Sequence, residues 1–378
     1  MAMTEHHRLR EVSLNDQRSL TIHRFGQPGA RPKVYVQAGI HANELAGPLT
    51  AHHLADRLKA ADEAGQVVGE IVMVPIANPI GLSQVQSGEH FGRHDLETGG
   101  NYNRAFFDVS DAVLQAVMGR LGSDAAENTR SVRSAILNAL NEVTPRFAID
   151  DLHVELQKLA CDADIVLDLH TDSDAQMHLF LDPTQWPNAE DLAAELGVEV
   201  VMLARASGSN PFEETIAAPY VTVHEAHGED HPIDVPLTVV VELRGLADVS
   251  DELAGQDADA LMRFLQRRGC LAGTPGAQPQ FTGVAAPFEH TTFLWATAPG
   301  IVAFKKPLGA MVEAGDVVAE IIDVSAMSTD GARTPVAAET SGKFFARSLT
   351  KLARPGQDIG KIFGTTQVEG RVGNLLSD

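Results

Sequence analysis

Apolar positions along this chain follow two different periods. Residues 33–38 (Lys-Val-Tyr-Val-Gln-Ala) form a short apolar run closed by Gly39 and predict a buried strand. Beyond Asn43 the apolar positions Leu45, Leu49, Leu54 and Leu58 recur at spacings of four and five, which predicts a helix. His41 then falls in the strand-to-helix turn and Glu44 in the first helical turn, and an i, i+3 pair shares one helix face. Residues 70–77 predict a second strand, stopped by Asn78-Pro79-Ile80-Gly81. Residues 80–108 are polar and glycine-rich with no clear period, and long loops of this kind in compact domains are often functional. Helical patterns fill roughly 111–160. Residues 164–169 predict a third strand that delivers His170 at its carboxyl end, and 237–243 a fourth that carries Glu242. Strands alternating with helices predict an α/β sheet, whose ligands gather at the carboxyl ends of strands. The candidate residues lie at such ends.

The pattern changes near residues 271–283, where Gly273, Pro275, Gly276 and Pro279 mark a linker. From there on helical periodicity is lost and short strands are split by Gly and Pro. A weak internal echo runs through this tail. Gly300-Ile-Val precedes Glu313-Ala-Gly-Asp-Val-Val-Ala-Glu-Ile, and Gly342-Lys-Phe precedes Arg354-Pro-Gly-Gln-Asp-Ile-Gly-Lys-Ile. The expected organisation is a catalytic α/β domain over 1–280 and a small all-β domain over 284–378. A length of 378 residues suits two such domains.

Composition narrows the partners. The formal charge of -22 repels nucleic acid and anionic membrane, so neither is expected as a partner. No segment approaches the ~18 consecutive apolar residues that span a bilayer. Met1 to Asn15 is polar, with no signal-peptide core. Cys161 and Cys270 do not make a disulfide framework or a C-x-x-C pair. The expectation is a cytoplasmic protein acting on a small molecule, with a homo-oligomer as an assembly open to it.

The chemistry centres on His41, Glu44 and His170. Two histidines and a carboxylate make a three-ligand zinc set that leaves a position open for water, the hallmark of a catalytic zinc. One zinc ion per chain is expected, and with it a hydrolase. Asp168 lies two residues before His170 on the same strand face and offers a partner for the ring nitrogen the metal does not use. Asp172 offers the same, and sequence does not choose between them. Glu242 sits in Val239-Val-Val-Glu-Leu, where an ionised carboxylate is costly to bury. It either pairs with Arg244 or faces the site as a general base. Arg93, Asn103 and Arg104 lie in the long loop, and arginine gives planar bidentate contacts to carboxylates. Asn101 reads as a turn residue. His224, His227 and His231 are loosely spaced among acidic residues and read as a solvated loop.

Taken together, Gly39-Ile-His-Ala-Asn-Glu-Leu-Ala-Gly47, Asn78-Pro79-Ile-Gly81, Asn103-Arg104 with Phe106 or Phe107 and Asp108, Leu167-Asp-Leu-His170 and Val241-Glu242 resemble the succinylglutamate desuccinylase/aspartoacylase family, a branch of the zinc carboxypeptidase clan. The resemblance covers most of residues 33–245. It implies a zinc-carboxypeptidase-like mixed sheet flanked by helices, and zinc held by His41, Glu44 and His170. It implies Glu242 as the base that activates water, Arg93 as the arginine that polarises the scissile carbonyl, and Asn103 with Arg104 as the grip on a substrate carboxylate. Where the family typically has Asp-Leu-Asn-Arg, this chain has Asn101-Tyr-Asn103-Arg104, and Glu97-Thr-Gly-Gly100 lengthens the gap from Arg93. The tail, roughly 290–378, is similar to biotinyl/lipoyl-type sandwich modules, with Ser328 where a modified lysine would stand, so a carrier role is not expected.

These readings converge on a zinc-dependent amidohydrolase that removes an acyl group from a small N-acyl amino acid or related amide. A zinc carboxypeptidase acting on peptides and a non-catalytic zinc-fold binding protein are the alternatives.

Overall fold

The computed structural model describes residues 2–11, 13–326 and 331–367. Ser328 lies outside the described residues. Nine strands form one mixed sheet: β1 (Met3–Arg8), β2 (Ser19–Gly26), β3 (Lys33–Ala38), β4 (Glu70–Val74), β5 (Ile165–Asp172), β6 (His178–Leu181), β7 (Val200–Leu203), β8 (Leu237–Gly245) and β9 (Val284–Pro287). Their order across the sheet is β1-β2-β4-β3-β5-β8-β6-β7-β9. The centre, β4-β3-β5-β8, is parallel, and β1, β2 and β6 introduce antiparallel pairs.

The strand period of two sorts each central strand onto two faces. Val34, Val36, Ala38, Ile165, Leu167, Leu169, Val239, Val241 and Leu243 join one apolar core. Helices α1 (Ala46–Glu63) and α2 (Asp251–Arg267) cover it through Leu54, Leu58, Leu261 and Phe264. Tyr35 and Val166 point to the opposite face, into a second core with Leu152 and Leu156 of α3 (Ala148–Ala160). The same alternation sends Asp168 and His170 of β5, and Val240 and Glu242 of β8, to this second face. Glu242 stands directly beside His170 in the parallel register.

Two smaller sheets follow β9. One runs Thr291–Trp295, Asp358–Phe363, Gly342–Arg347 and Met311–Val312, and the other Arg333–Ala337, Val317–Ile322, Gly300–Phe304 and Leu352–Ala353. A core that includes Leu294, Val318, Ile321, Phe344 and Ile362 lies between them. Residues 284–287 pair with β7 in the large sheet, whereas Asp174–Ala175, just after β5, pair with Gly342–Arg347. No helix among the described residues is long and apolar enough to cross a membrane.

Candidate active site and metal centre

His41 and Glu44 leave the carboxyl end of β3 in a tight turn, in which Glu44 N–H donates to His41 O at 3.0 Å. Glu44 therefore precedes α1 rather than occupying its first turn, as the apolar spacing suggests. Leu45 is the N-cap and is exposed, so the helix opens one residue later. Close packing fixes this turn. A Cβ on Gly47 would lie 2.8 Å from Leu169 O, so only glycine lets α1 rest on the strand that carries His170. Asn78 clamps the turn from the other side, donating to Ile40 O at 2.9 Å and accepting from Gly81 N–H at 2.7 Å.

His41, Glu44 and His170 are buried, and one ligand atom from each lies within 4.8 Å of the others. Among the described residues this is the one cluster of three or more such groups of that kind. His41 Nδ1 is 2.9 Å from Glu44 Oε1, and His170 Nδ1 is 3.0 Å from Glu44 Oε2. The far ring nitrogens are engaged elsewhere. Nε2 of His41 lies 2.7 Å from Asn101 Oδ1, an oxygen identified by the Asn103 N–H that donates to it at 2.9 Å. Nε2 of His170 lies 3.0 Å from Asp168 Oδ2. Both Nε2 atoms thus carry their proton toward an acceptor, which leaves both Nδ1 lone pairs facing a carboxylate. Acceptors opposed at such distances need a proton or a cation between them. The donor set, two imidazoles and a carboxylate, suits zinc.

Protonation follows the same logic. Burial, helped by Arg93, lowers His41 to about 4 against the pull of Glu44. Burial also works against a charged His170, but Asp168 and Glu44 outweigh it and hold that imidazole well above 6.5. A divalent cation bound here would take the place of any proton shared among these groups.

Sequence leaves the partner of His170 open between Asp168 and Asp172, and the structure selects Asp168. Asp172 instead accepts from Lys361 Nζ at 2.6 Å. Burial pushes Asp172 up, yet Lys361 prevails and holds it at about 2. Lys361 comes from the strand Asp358–Phe363 of the small sheets and lines the same cavity. Glu242 does not pair with Arg244, which turns away to bind Asp257, with Nη1 at 3.2 Å from Oδ1. Arg244 has a positive φ of 68°, where the register with β5 shifts between Glu242 and Gly245. Glu242 opens onto the cavity, and its Oε2 has no hydrogen-bond partner. Burial pushes it up to about 8, opposed by His170 and reinforced by Glu44 and Asp172.

The long loop closes around this centre. Arg93 Nη1 lies 3.0 Å from Glu44 Oε1 and 3.2 Å from His41 Nδ1. Gly92 makes the approach possible, because a Cβ there would lie 2.5 Å from Asn43 N. Asn103 Nδ2 is 3.4 Å from His170 Nε2, and Asn103 Oδ1 accepts from Phe212 N–H at 3.0 Å. Arg104 is buried and donates to Asn103 O at 2.7 Å. All seven site residues expected from sequence line one cavity of about 490 Å³, a volume suited to a small molecule.

Some neighbours escape a sequence reading. Asn101 is the outer partner of His41, and its position in Asn101-Tyr-Asn103-Arg104 is the one signal that could have found it. Lys361, distant in sequence, carries no such signal. Glu213 and Glu214 open α4 (Phe212–His227), whose face toward the cavity also carries Ala217, Ala218 and Val221. Burial, then Glu214 and Asp168, push Glu213 up to about 8. His224 and His227 lie on the last turns of this helix rather than in a loop, while His231 follows it and meets Gly122 O at 2.9 Å.

The succinylglutamate desuccinylase/aspartoacylase catalytic-domain model matches residues 30–268. The chain belongs to the succinylglutamate desuccinylase/aspartoacylase family. Members of that family are deacylating hydrolases. Similar folds occur in a family protein from Shewanella amazonensis (23% identity, TM-score 0.85, 96% of this chain and 98% of that one). They occur also in the family protein from Rhodobacter sphaeroides (17%, 0.67, 97% and 96%). A third is the product-bound ectoine utilization protein EutE (DoeB) from Ruegeria pomeroyi (17%, 0.68, 97% and 95%). No curated protein matches the chain in sequence.

Proposed function

We propose that this member of the family is a zinc-dependent amidohydrolase that removes an acyl group from a small N-acyl amino acid or related amide. The observation that carries the reading is the meeting of two imidazole Nδ1 atoms on Glu44, with the unpartnered Glu242 carboxylate facing the same cavity. His41, Glu44 and His170 would hold the ion. When bound, zinc supplies Lewis acidity that makes water nucleophilic near neutral pH and polarises a carbonyl.

The protein's own groups do the rest. Glu242 takes a proton from the attacking water and returns it to the leaving amine. Arg93 donates to the developing oxyanion, an interaction worth about 3 kcal/mol per donor in well-placed cases. Asn103 and Arg104 grip a carboxylate of the substrate. Asp168 and Asn101 fix the imidazole tautomers. Lys361 reaches the cavity from the small sheets, which supports a compact substrate over a polypeptide. We infer further that the C-terminal sheets form a unit of sandwich type that begins after the edge strand 284–287.

The test is a panel of N-acyl amino acids and short peptides, with the released amine measured and bound zinc quantified. Glu242→Ala should keep its zinc and lose most turnover. Equal turnover with and without that carboxylate ends the assignment of the base, and zinc binding without hydrolysis of any amide ends the enzymatic reading.

A further inference from the structure

We propose that the α4 wall of the cavity is a subsite for a cationic group, so that the substrate is an N-acyl derivative of a basic amino acid carrying an ammonium or guanidinium on a methylene stem. The inference rests on the deacylase reading and adds the substrate's charge to it.

Glu213 carries the argument. It is 8% exposed and lines the cavity, its Oε2 has no hydrogen-bond partner, and it joins no ion pair among the described residues. Acidic residues in a first helical turn are common because they meet the positive end of the helix dipole. That accounts for a solvated carboxylate, not for a buried one on which the charges of Glu214 and Asp168 outweigh that of His170. A buried carboxyl oxygen without a hydrogen-bond partner is costly, and the cavity opens onto it.

Among the described residues, no cation around the same space forms an ion pair with Glu213. Arg93 is on Glu44, and Lys361 is on Asp172. Arg205 is shared between Asp182, at 3.5 Å, and Glu225. Glu214 accepts from Ser207 N–H at 2.8 Å. Glu242, also unpartnered, is taken up as the base in the deacylase reading, which leaves Glu213 for a charge that arrives with the ligand. The next turns of α4 supply what a methylene stem needs. Ala217 lies four residues on and Val221 eight, on the same helix face, and both line the cavity. An apolar track leading to a buried carboxylate fits lysine, ornithine or arginine side chains, and disfavours a second carboxylate there.

Calorimetric titration of the purified, zinc-loaded protein with L-lysine, L-norleucine and L-glutamate tests this without turnover. Lysine should bind at least about tenfold tighter than its neutral isostere norleucine, and glutamate weakest. Glu213→Gln should erase the lysine preference and leave norleucine within about twofold. Equal binding of lysine and norleucine, or no binding of any of the three, overturns the proposal, and so does a preference that survives in folded Glu213→Gln. If that variant fails to fold, the wild-type comparison still decides. Hydrolysis of N-acetyllysine and N-acetylnorleucine with equal kcat/KM would leave the deacylase reading standing and sink this one. Preferential lysine binding with no amide hydrolysed would do the reverse.

Discussion

Asn101 Oδ1 stands 2.7 Å from His41 Nε2, the counterpart of Asp168 Oδ2 at 3.0 Å from His170 Nε2. His41 is thus oriented by a neutral amide and His170 by a carboxylate. Outer partners of this kind are typically worth about 10–100-fold in metal affinity. Asn101→Ala should therefore weaken zinc binding by at least about tenfold, while Asn101→Asp, which keeps an acceptor, should hold it. Competition with a chromogenic chelator measures both. Unchanged affinity in Asn101→Ala would remove Asn101 from the metal centre.

Zinc should stabilise the folded chain, because the ligands are brought together only there. At free zinc about 100 times its Kd, the gain is about 2.7 kcal/mol. Thermal melts with zinc and with chelator should separate accordingly, and His170→Ala should melt at the same temperature in both. A zinc-dependent shift that survives in that variant would place the ion elsewhere.

The pair Lys361–Asp172 joins the small sheets to the end of β5 and is mostly shielded from solvent. Removing one partner of such a pair leaves an uncompensated charge, at a cost of about 3 kcal/mol. Urea unfolding of Lys361→Met should show a loss near that size. Lys361→Met with Asp172→Asn should recover most of it, since no lone charge remains. A single variant as stable as the parent would show that the bridge contributes nothing.

His153 is buried, stacks on Phe106 with ring centroids 3.8 Å apart, and meets Tyr102 O through Nε2 at 2.8 Å. Burial lowers it to about 4, from 6.5 for an unperturbed imidazole. Between those values the unfolded chain binds a proton that the folded chain refuses. Stability is therefore unaffected above 6.5 and falls as pH drops toward 4, by about 3 kcal/mol from this residue. His153→Gln should flatten the slope of unfolding free energy against pH in that window. An unchanged slope would show that His153 is not the group responsible.

Legibility in the sequence followed periodicity and chain order. The four buried parallel strands are readable because both faces are covered, which leaves unbroken apolar runs such as Val239–Val241. Strands β1 and β2 were not readable, because an edge pair half open to water keeps polar residues such as His6, His7 and His23. The cluster of His41, Glu44 and His170 is readable from their places at the ends of two such strands. Asp168 and Asp172 stayed equivalent in sequence, since both lie on one face of β5. Only Lys361, almost two hundred positions away, separates them by claiming Asp172. Glu213 carries no signal in the sequence, because its burial depends on how the loop before α4 packs, not on its sequence neighbours.

The short stretch Asp174–Ala175 belongs to two structures at once. It continues directly from the His170 strand, yet it hydrogen-bonds to Gly342–Arg347, and Gln176 N–H donates to Phe345 O at 2.8 Å. A fragment ending near residue 288 would keep every ligand but strip this seam of its neighbour. It would bare Ala175, Phe180 and Phe288 to water and leave Asp172 without its ammonium. The cavity and the tail are therefore a single inheritance: neither can be trimmed from the other without unsealing the floor on which His170 stands.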